Sequence, residues 1–275
     1  MWYPGHIQKA KNSIKKNLKL VNAIIEIIDA RAPYSTRAYE YQSLFADKKK
    51  IILFNKHDIC DDKKTQKWVE IYKSKGYEVI KISMKKVNVK QFIEKNVSPL
   101  IPEKFFEKRA MIIGVPNTGK STFINSLKGK KSALTGNTPG ITRGVQWINV
   151  DKKLKVMDTP GILFPELYNK NIIYKLILIG SLKAEGQEAD EALNFAFNYL
   201  KINYPQLLNK IVENSSELLS SFEFINAYSQ KRNYLKKGGE TDFERGKQSF
   251  LKNLAEGKYG KITFETEEDF EEIIL

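Results

Sequence analysis

Gly114-Val115-Pro116-Asn117-Thr118-Gly119-Lys120-Ser121 fits the pattern GxxxxGKS, set between an apolar run at 111–113 and a helix-like run at 122–127. Strand, glycine-containing loop and helix in that order cradle phosphate, because successive backbone N–H groups and the helix N-terminus point at the anion. In such a cradle Lys120 reaches the β- and γ-phosphates and the Ser121 hydroxyl binds Mg²⁺. Further along, the apolar run 154–157 ends in Asp158-Thr159-Pro160-Gly161, a DxxG pattern. Asp158 suits a Mg²⁺-holding carboxylate there, and the Gly161 amide can meet the γ-phosphate without side-chain obstruction. Residues 136–143 lie between the two and are rich in Gly and Pro. Within them Thr142 is the expected switch threonine completing the Mg²⁺ shell; Thr138 is the alternative, and a plain turn is the simpler reading of either.

Upstream, Asn55-Lys56-His57-Asp58 follows the apolar run 51–54 and matches NKxD. A carboxylate at Asp58 accepts two hydrogen bonds from the N1–H and N2–H₂ edge of guanine, whereas adenine would leave it unpaired. Asn55 would brace the base and the neighbouring loop, and the Lys56 stem would lie along the ring face. His57 occupies the variable position. The run 79–82 ends in Ser83-Met84-Lys85, where a Ser-Ala-Lys turn usually offers backbone N–H to guanine O6; Met84 keeps the donor but alters the fit. Together these patterns predict a GTP/GDP site with Mg²⁺. Its expected residues are Asn55, Lys56, His57, Asp58, Ser83 and Met84 at the base, with Asn117, Thr118, Gly119, Lys120, Ser121, Thr122 and Gly161 around the phosphates.

Positioning these loops requires strands. Six strand-length runs rich in Ile and Val, at 23–28, 51–54, 79–82, 111–115, 145–150 and 154–157, are mostly separated by helical or polar stretches. Alternation of this kind predicts an α/β fold with a mostly parallel sheet covered on both faces. A basic amphipathic helix is expected over 7–20, in an N-terminal arm spanning 1–20. After Pro165 the pattern is helical, with one further strand expected at 261–264. The reading is a nucleotide-binding domain over 1–165, followed by a smaller all-helical domain over 166–275. In most GTPases the phosphate loop precedes NKxD; here NKxD comes first. Joining the old termini and opening the chain after Gly161 keeps the strand order in space, so the domain is read as circularly permuted.

Composition narrows the partners. The net charge is +14, while Glu265–Leu275 hold six carboxylates and no base, so the positive excess lies upstream. That favours a nucleic-acid partner over a merely lysine-rich surface. No apolar run approaches the ~20 residues of a membrane span, so no membrane association is expected. The N-terminus carries no signal-like pattern, and a cytoplasmic location follows as the expectation. One cysteine, Cys60, excludes an internal disulfide and a Cys-rich zinc module.

The chain resembles, essentially end to end, the ribosome biogenesis GTPase A family of circularly permuted GTPases. The opening Trp2-Tyr3-Pro4-Gly5-His6 with Lys9-Ala10 is similar to that family's N-terminal signature, and Asp29-Ala30-Arg31 to its Asp-Ala-Arg motif. Gly238-Gly239-Glu240 with Asp242, then Glu256-Gly257-Lys258 and Gly260-Lys261, resembles its RNA-contacting helical domain. The resemblance implies GTP hydrolysis coupled to late maturation of the large ribosomal subunit, with the subunit precursor and its rRNA as partners and a monomer off the ribosome. Ile162 stands where Ras-like enzymes carry a water-orienting glutamine, so intrinsic hydrolysis is expected to be slow and stimulated by ribosomal particles. The resemblance points to His6 as a replacement catalytic residue alongside Lys120 and Thr142; packing against Trp2 or an rRNA contact are the other readings of His6. It also implies that Asn117 helps hold K⁺ near the phosphates, or merely braces the loop. Arg31 is either a charge donor in cis, a salt-bridge partner of Asp29, or an rRNA contact. The alternative functions are a GTP-dependent RNA-binding scaffold with incidental hydrolysis and a mitochondrial ribosome assembly GTPase.

Overall fold

The computed structural model describes residues 12, 14–104, 106–128, 146–159, 169–215 and 217–271. The chain divides into two compact units, Met1–Glu166 with Glu265–Leu275, and Leu167–Phe264. The acidic C-terminal stretch, read from sequence as part of the helical domain, therefore belongs to the first unit.

The first unit is built on six strands: β1 (Ala23–Asp29), β2 (Lys49–Asn55), β3 (Glu78–Lys81), β4 (Lys108–Ile113), β5 (Gln146–Asn149) and β6 (Leu154–Asp158). Their spatial order is β3-β2-β1-β4-β6-β5, all parallel neighbours except the antiparallel pair β5–β6. All seven residues of β1 are buried, as its run of isoleucines requires of a strand covered on both faces. Ile25 and Ile27 pack with Ile51, Leu53, Ile93 and Phe123 on one face. On the other, Ile28 joins Ile52, Phe54, Trp68 and Tyr72, while Ile24 joins Ile14, Phe45 and Met111. Helix α1 (Asp62–Ser74) starts at Asp61, whose carboxylate accepts from the Lys63 and Lys64 amides. Helix α2 (Val89–Asn96) is capped in the same way by Asn88, and α3 (Lys120–Lys128) follows the phosphate-loop motif.

Two acidic residues of β1, Glu26 and Asp29, are sealed inside. Glu26 takes the Arg37 guanidinium at 2.9 Å and the Ala38 amide at 2.6 Å. Arg37 also lies over the rings of Tyr72 and Tyr77, each 4.6 Å to the centroid. Glu265 closes the same region: its buried carboxylate accepts from the Ser35 amide at 2.8 Å and from the Ser35 hydroxyl.

Among the described residues the second unit is helical: α4 (Lys170–Leu178), α5 (Gln187–Asn203), α6 (Pro205–Ile211), α7 (Ser221–Lys231) and α8 (Phe243–Ala255). Its core gathers Leu193, Phe197, Phe224, Tyr228 and Phe250, with ring centroids of Phe224 and Phe250 5.1 Å apart. Gly246 lets α8 approach α7, since a Cβ there would meet Ser229 Oγ at 1.8 Å. Residues 261–264, expected as a strand, are irregular chain; Ile262, Thr263 and Phe264 are buried, and the Thr263 carbonyl accepts from Tyr199 Oη at 2.7 Å. Apolar character there reports burial rather than pairing.

Candidate nucleotide-binding site

Both sequence-predicted loops leave the C-terminal ends of nearby parallel strands, the place where open α/β sheets bind ligands. The Asn55 side chain lies between them. Its amide nitrogen donates to the Thr118 carbonyl at 2.7 Å, and its oxygen accepts from the Met84 amide at 3.1 Å. One residue thus ties the base-reading loop to the phosphate loop and to the turn after β3. Gly119 permits this approach, because a Cβ there would stand 2.2 Å from Asn55 Nδ2. Met84 is buried, with its sulfur 3.5 Å from that same Cβ position. Its N–H, expected at guanine O6, is thereby engaged inside the protein. The Lys85 N–H that follows has no acceptor among the described residues.

The phosphate loop is held from below. A Cβ on Gly114 would meet the Ile27 carbonyl at 2.6 Å, so β1 runs close beneath it. Thr118 is fully buried, its hydroxyl donating to the Val115 carbonyl at 2.9 Å. Asn117 adopts positive φ at the exposed tip. Lys120 opens α3 and donates to Asp158 Oδ1 at 3.1 Å and to the Thr159 carbonyl at 2.7 Å. Thr159 is in turn fixed by its hydroxyl donating to the Ile112 carbonyl at 2.6 Å. Ser121 and Thr122 are exposed on the first turn. A serine hydroxyl and an aspartate carboxylate are hard oxygen donors of the kind Mg²⁺ selects, so the residues present fit that ion.

On the base side, Asp58 is exposed, and its amide donates to Ser83 Oγ at 2.9 Å. The His57 imidazole is turned toward the start of α1, with Nδ1 3.1 Å from Cys60 Sγ and 3.4 Å from Asp62 Oδ1. Lys56, at positive φ, sends its ammonium to Asp29 at 2.7 Å. Asp29 is fully buried at the end of β1 and also takes Arg31 through Nε at 3.0 Å and Nη2 at 2.8 Å. Burial by itself would raise this carboxyl's pKa; the adjacent Arg31 and Lys56 charges outweigh it and hold the group below the usual carboxylate range. Arg31 is buried in this pair, the arrangement expected of it as a salt-bridge partner of Asp29. Sequence reasoning did not foresee the link from Asp29 to Lys56. The only available signal was an aspartate at a strand end beside the strand that carries NKxD. His6, Thr138, Thr142, Gly161 and Ile162 lie outside the described residues.

The chain is similar to known GTPases. The family described as 50S ribosome-binding GTPase matches residues 109–233, and the RsgA GTPase family matches 42–168. Ribosome biogenesis GTPase A of Thermotoga maritima is 43% identical over 271 residues, covering 98% of this chain and 95% of the relative. The Bacillus cereus protein of the same name is 34% identical, with 98% and 95% covered. Among solved structures, GDP-bound YlqF of T. maritima superposes with a TM-score of 0.71 at 38% identity, covering 94% of this chain and 100% of that one.

The Asp29 cluster yields a test. Asp29→Asn strands two buried or half-buried cations, and we expect a loss of about 3–5 kcal/mol in denaturant unfolding. Because folding lowers this carboxyl's pKa, its contribution is full above about pH 4 and is lost as pH falls through the folded-state value. The variant's stability should therefore fall less steeply on acidification than the wild type's. Parallel acid limbs would show that Asp29 carries no such load.

Proposed function

Because the chain belongs to the ribosome biogenesis GTPase A family of GTP-hydrolysing ribosome assembly factors, we propose that it matures the large ribosomal subunit by docking on precursor rRNA under guanine-nucleotide control. Asp58 reads the guanine edge, with the Lys85 N–H as the donor for O6. The Lys56 stem lies on the ring face, its ammonium moored at Asp29. Lys120 moves from Asp158 to the β- and γ-phosphates, and Ser121, Thr142 and Asp158 hold Mg²⁺. That ion neutralises charge developing on the phosphates. With Ile162 after Gly161, water is oriented by His6 or the charge is met by K⁺ held at Asn117, and turnover is slow until a ribosomal particle binds.

The helical unit supplies the rRNA contact, and one observation carries this reading. A cavity of about 450 Å³ is lined by Lys210, Ile211, Lys231, Arg232, Lys258 and Tyr259, four cations with no carboxylate in the wall. Such a wall suits an RNA backbone. No described helix is long and apolar enough to cross a membrane, and a cytoplasmic monomer that binds the particle and leaves after hydrolysis fits the reading.

Docking on large-subunit precursors should be tighter with a non-hydrolysable GTP analogue than with GDP, and should weaken steeply with salt. Lys210→Glu with Arg232→Glu should reduce both the affinity and the salt slope while leaving GTP binding intact. Particle docking that ignores both nucleotide and these charges would end the proposal. Hydrolysis rates in potassium against sodium, for the wild type and His6→Ala, separate the two catalytic devices. A rate that depends on K⁺ but not on His6 assigns catalysis to the ion. Loss of about 10²-fold or more in His6→Ala assigns it to the imidazole.

A further inference from the structure

The nucleotide loops leave the C-terminal ends of β2, β4 and β6, so the N-terminal ends of the strands form a separate surface on the far side of the sheet. A groove of about 870 Å³ runs across that surface, where β1, β2 and β4 begin. Its cations are Lys19, Lys48, Lys49, Lys104, Arg109 and Lys152, against Asp47, Glu103 and Glu107. Two of the three carboxylates are already engaged by cations. Glu107 holds Arg109 at 2.6 Å and Lys155 at 2.7 Å, and Glu103 holds Lys153 at 3.1 Å. Of the cations, Arg109 is taken by Glu107, Lys49 pairs with Glu78 at 2.7 Å, and Lys48 Nζ donates to the Val21 carbonyl at 3.0 Å, so the positive excess of the groove rests on its exposed rim lysines, Lys19, Lys104 and Lys152.

Phe106 stands in this groove. Reciprocal backbone bonds between Lys104 and Glu107, 2.9 and 3.1 Å, close the tight turn that carries it. Its φ is +63°, a left-handed conformation that an aromatic residue rarely adopts, and its side chain is 88% exposed. A glycine would hold this turn with less strain, and a polar residue would expose less apolar surface. Among the described residues, neither the fold nor the nucleotide site uses the ring. We propose that this groove binds single-stranded RNA, with Phe106 as the platform on which a base stacks and the surrounding lysines as partners of the backbone. Aromatic faces set in a basic groove are how proteins hold unpaired nucleotides without reading their sequence. The inference rests on the ribosome-assembly reading only for the source of the RNA, which is then rRNA contacted by the first unit as well as the second.

The test uses the full chain carrying Lys210→Glu and Arg232→Glu, so that the helical unit does not mask the result, and a short unstructured RNA oligonucleotide with a fluorescent label. Phe106→Gly should weaken RNA binding about tenfold, the scale of one lost base stack, while the thermal midpoint stays level or rises because glycine accepts the turn. GTP affinity should not change. Phe106→Leu should lose as much as Phe106→Gly, since leucine has bulk but no π-face. Lys152→Glu should lower both the affinity and its salt slope. Wild-type affinity in Phe106→Gly overturns the proposal. So does full affinity in Phe106→Leu, which would show that apolar bulk and not a stacked ring holds the RNA. Failure of precursor docking with Phe106-dependent RNA binding intact would count against the ribosome reading and not against the groove.

Discussion

The site depends on the two hydrogen bonds of the Asn55 side chain. The loops it joins are distant in sequence: NKxD follows β2, Met84 follows β3, and Thr118 lies beyond β4. Nothing local brings them together. The sheet order leaves only β1 between β2 and β4, and a single amide, donating through its nitrogen and accepting at its oxygen, spans what remains. A buried amide with both functions satisfied is well placed to fix geometry, because losing either partner strands a polar group away from water. The requirement for glycine at 119 follows from the same contact, since any Cβ there would displace the amide. Chain order is immaterial to this arrangement, which is why permutation can leave the nucleotide site intact.

A second layer supports the first. Lys56 is moored at Asp29, Asp29 takes Arg31, and the loop that follows is fastened by Arg37 to Glu26 and by Ser35 to Glu265. This loop is the place where the first unit receives its returning C-terminal segment. The second unit, Leu167–Phe264, is therefore connected to the first through two chain crossings, one soon after DxPG and one at Glu265. In the proposed function, the γ-phosphate acts near the first crossing and the base-side loop lies near the second. A ligand can shift the helical unit only through a difference in its affinity for two arrangements, and both crossings offer a route for that difference.

Much of this was legible in the sequence. Strands announce themselves as short isoleucine and valine runs, and all six were found, five of them parallel and β5 an antiparallel edge strand, with ends that differ by a few residues because pairing extends into polar positions such as Lys49, Lys50 and Lys108. The motifs told which loops follow which strands, because their spacing is local to each loop. What stayed hidden is what depends on non-local contact. Residues 261–264 look like a strand because Ile262 and Phe264 alternate with Lys261 and Thr263, yet irregular buried chain can use the same side chains. Glu265 reads as the start of an acidic tail, and only the fold shows one of those carboxylates serving buried amides. Asn55 was expected to brace its neighbours, but the capture of the Met84 amide follows from a cross-loop distance that no spacing encodes. Phe106 is likewise silent in sequence, since a lone phenylalanine ordinarily signals core.

The claim that Asn55 joins base reading to phosphate binding is tested most directly with a ligand that has no base. Pyrophosphate touches only the phosphate loop, so its affinity should be indifferent to NKxD unless the two are mechanically joined. Calorimetry of pyrophosphate and GDP with Asn55→Ala should show both weakened by at least about fivefold, the lower range for stranding a buried polar group, in a variant that remains folded. If GDP binding weakens while pyrophosphate binds as in the wild type, Asn55 serves the base alone and the bridge between the loops carries no function.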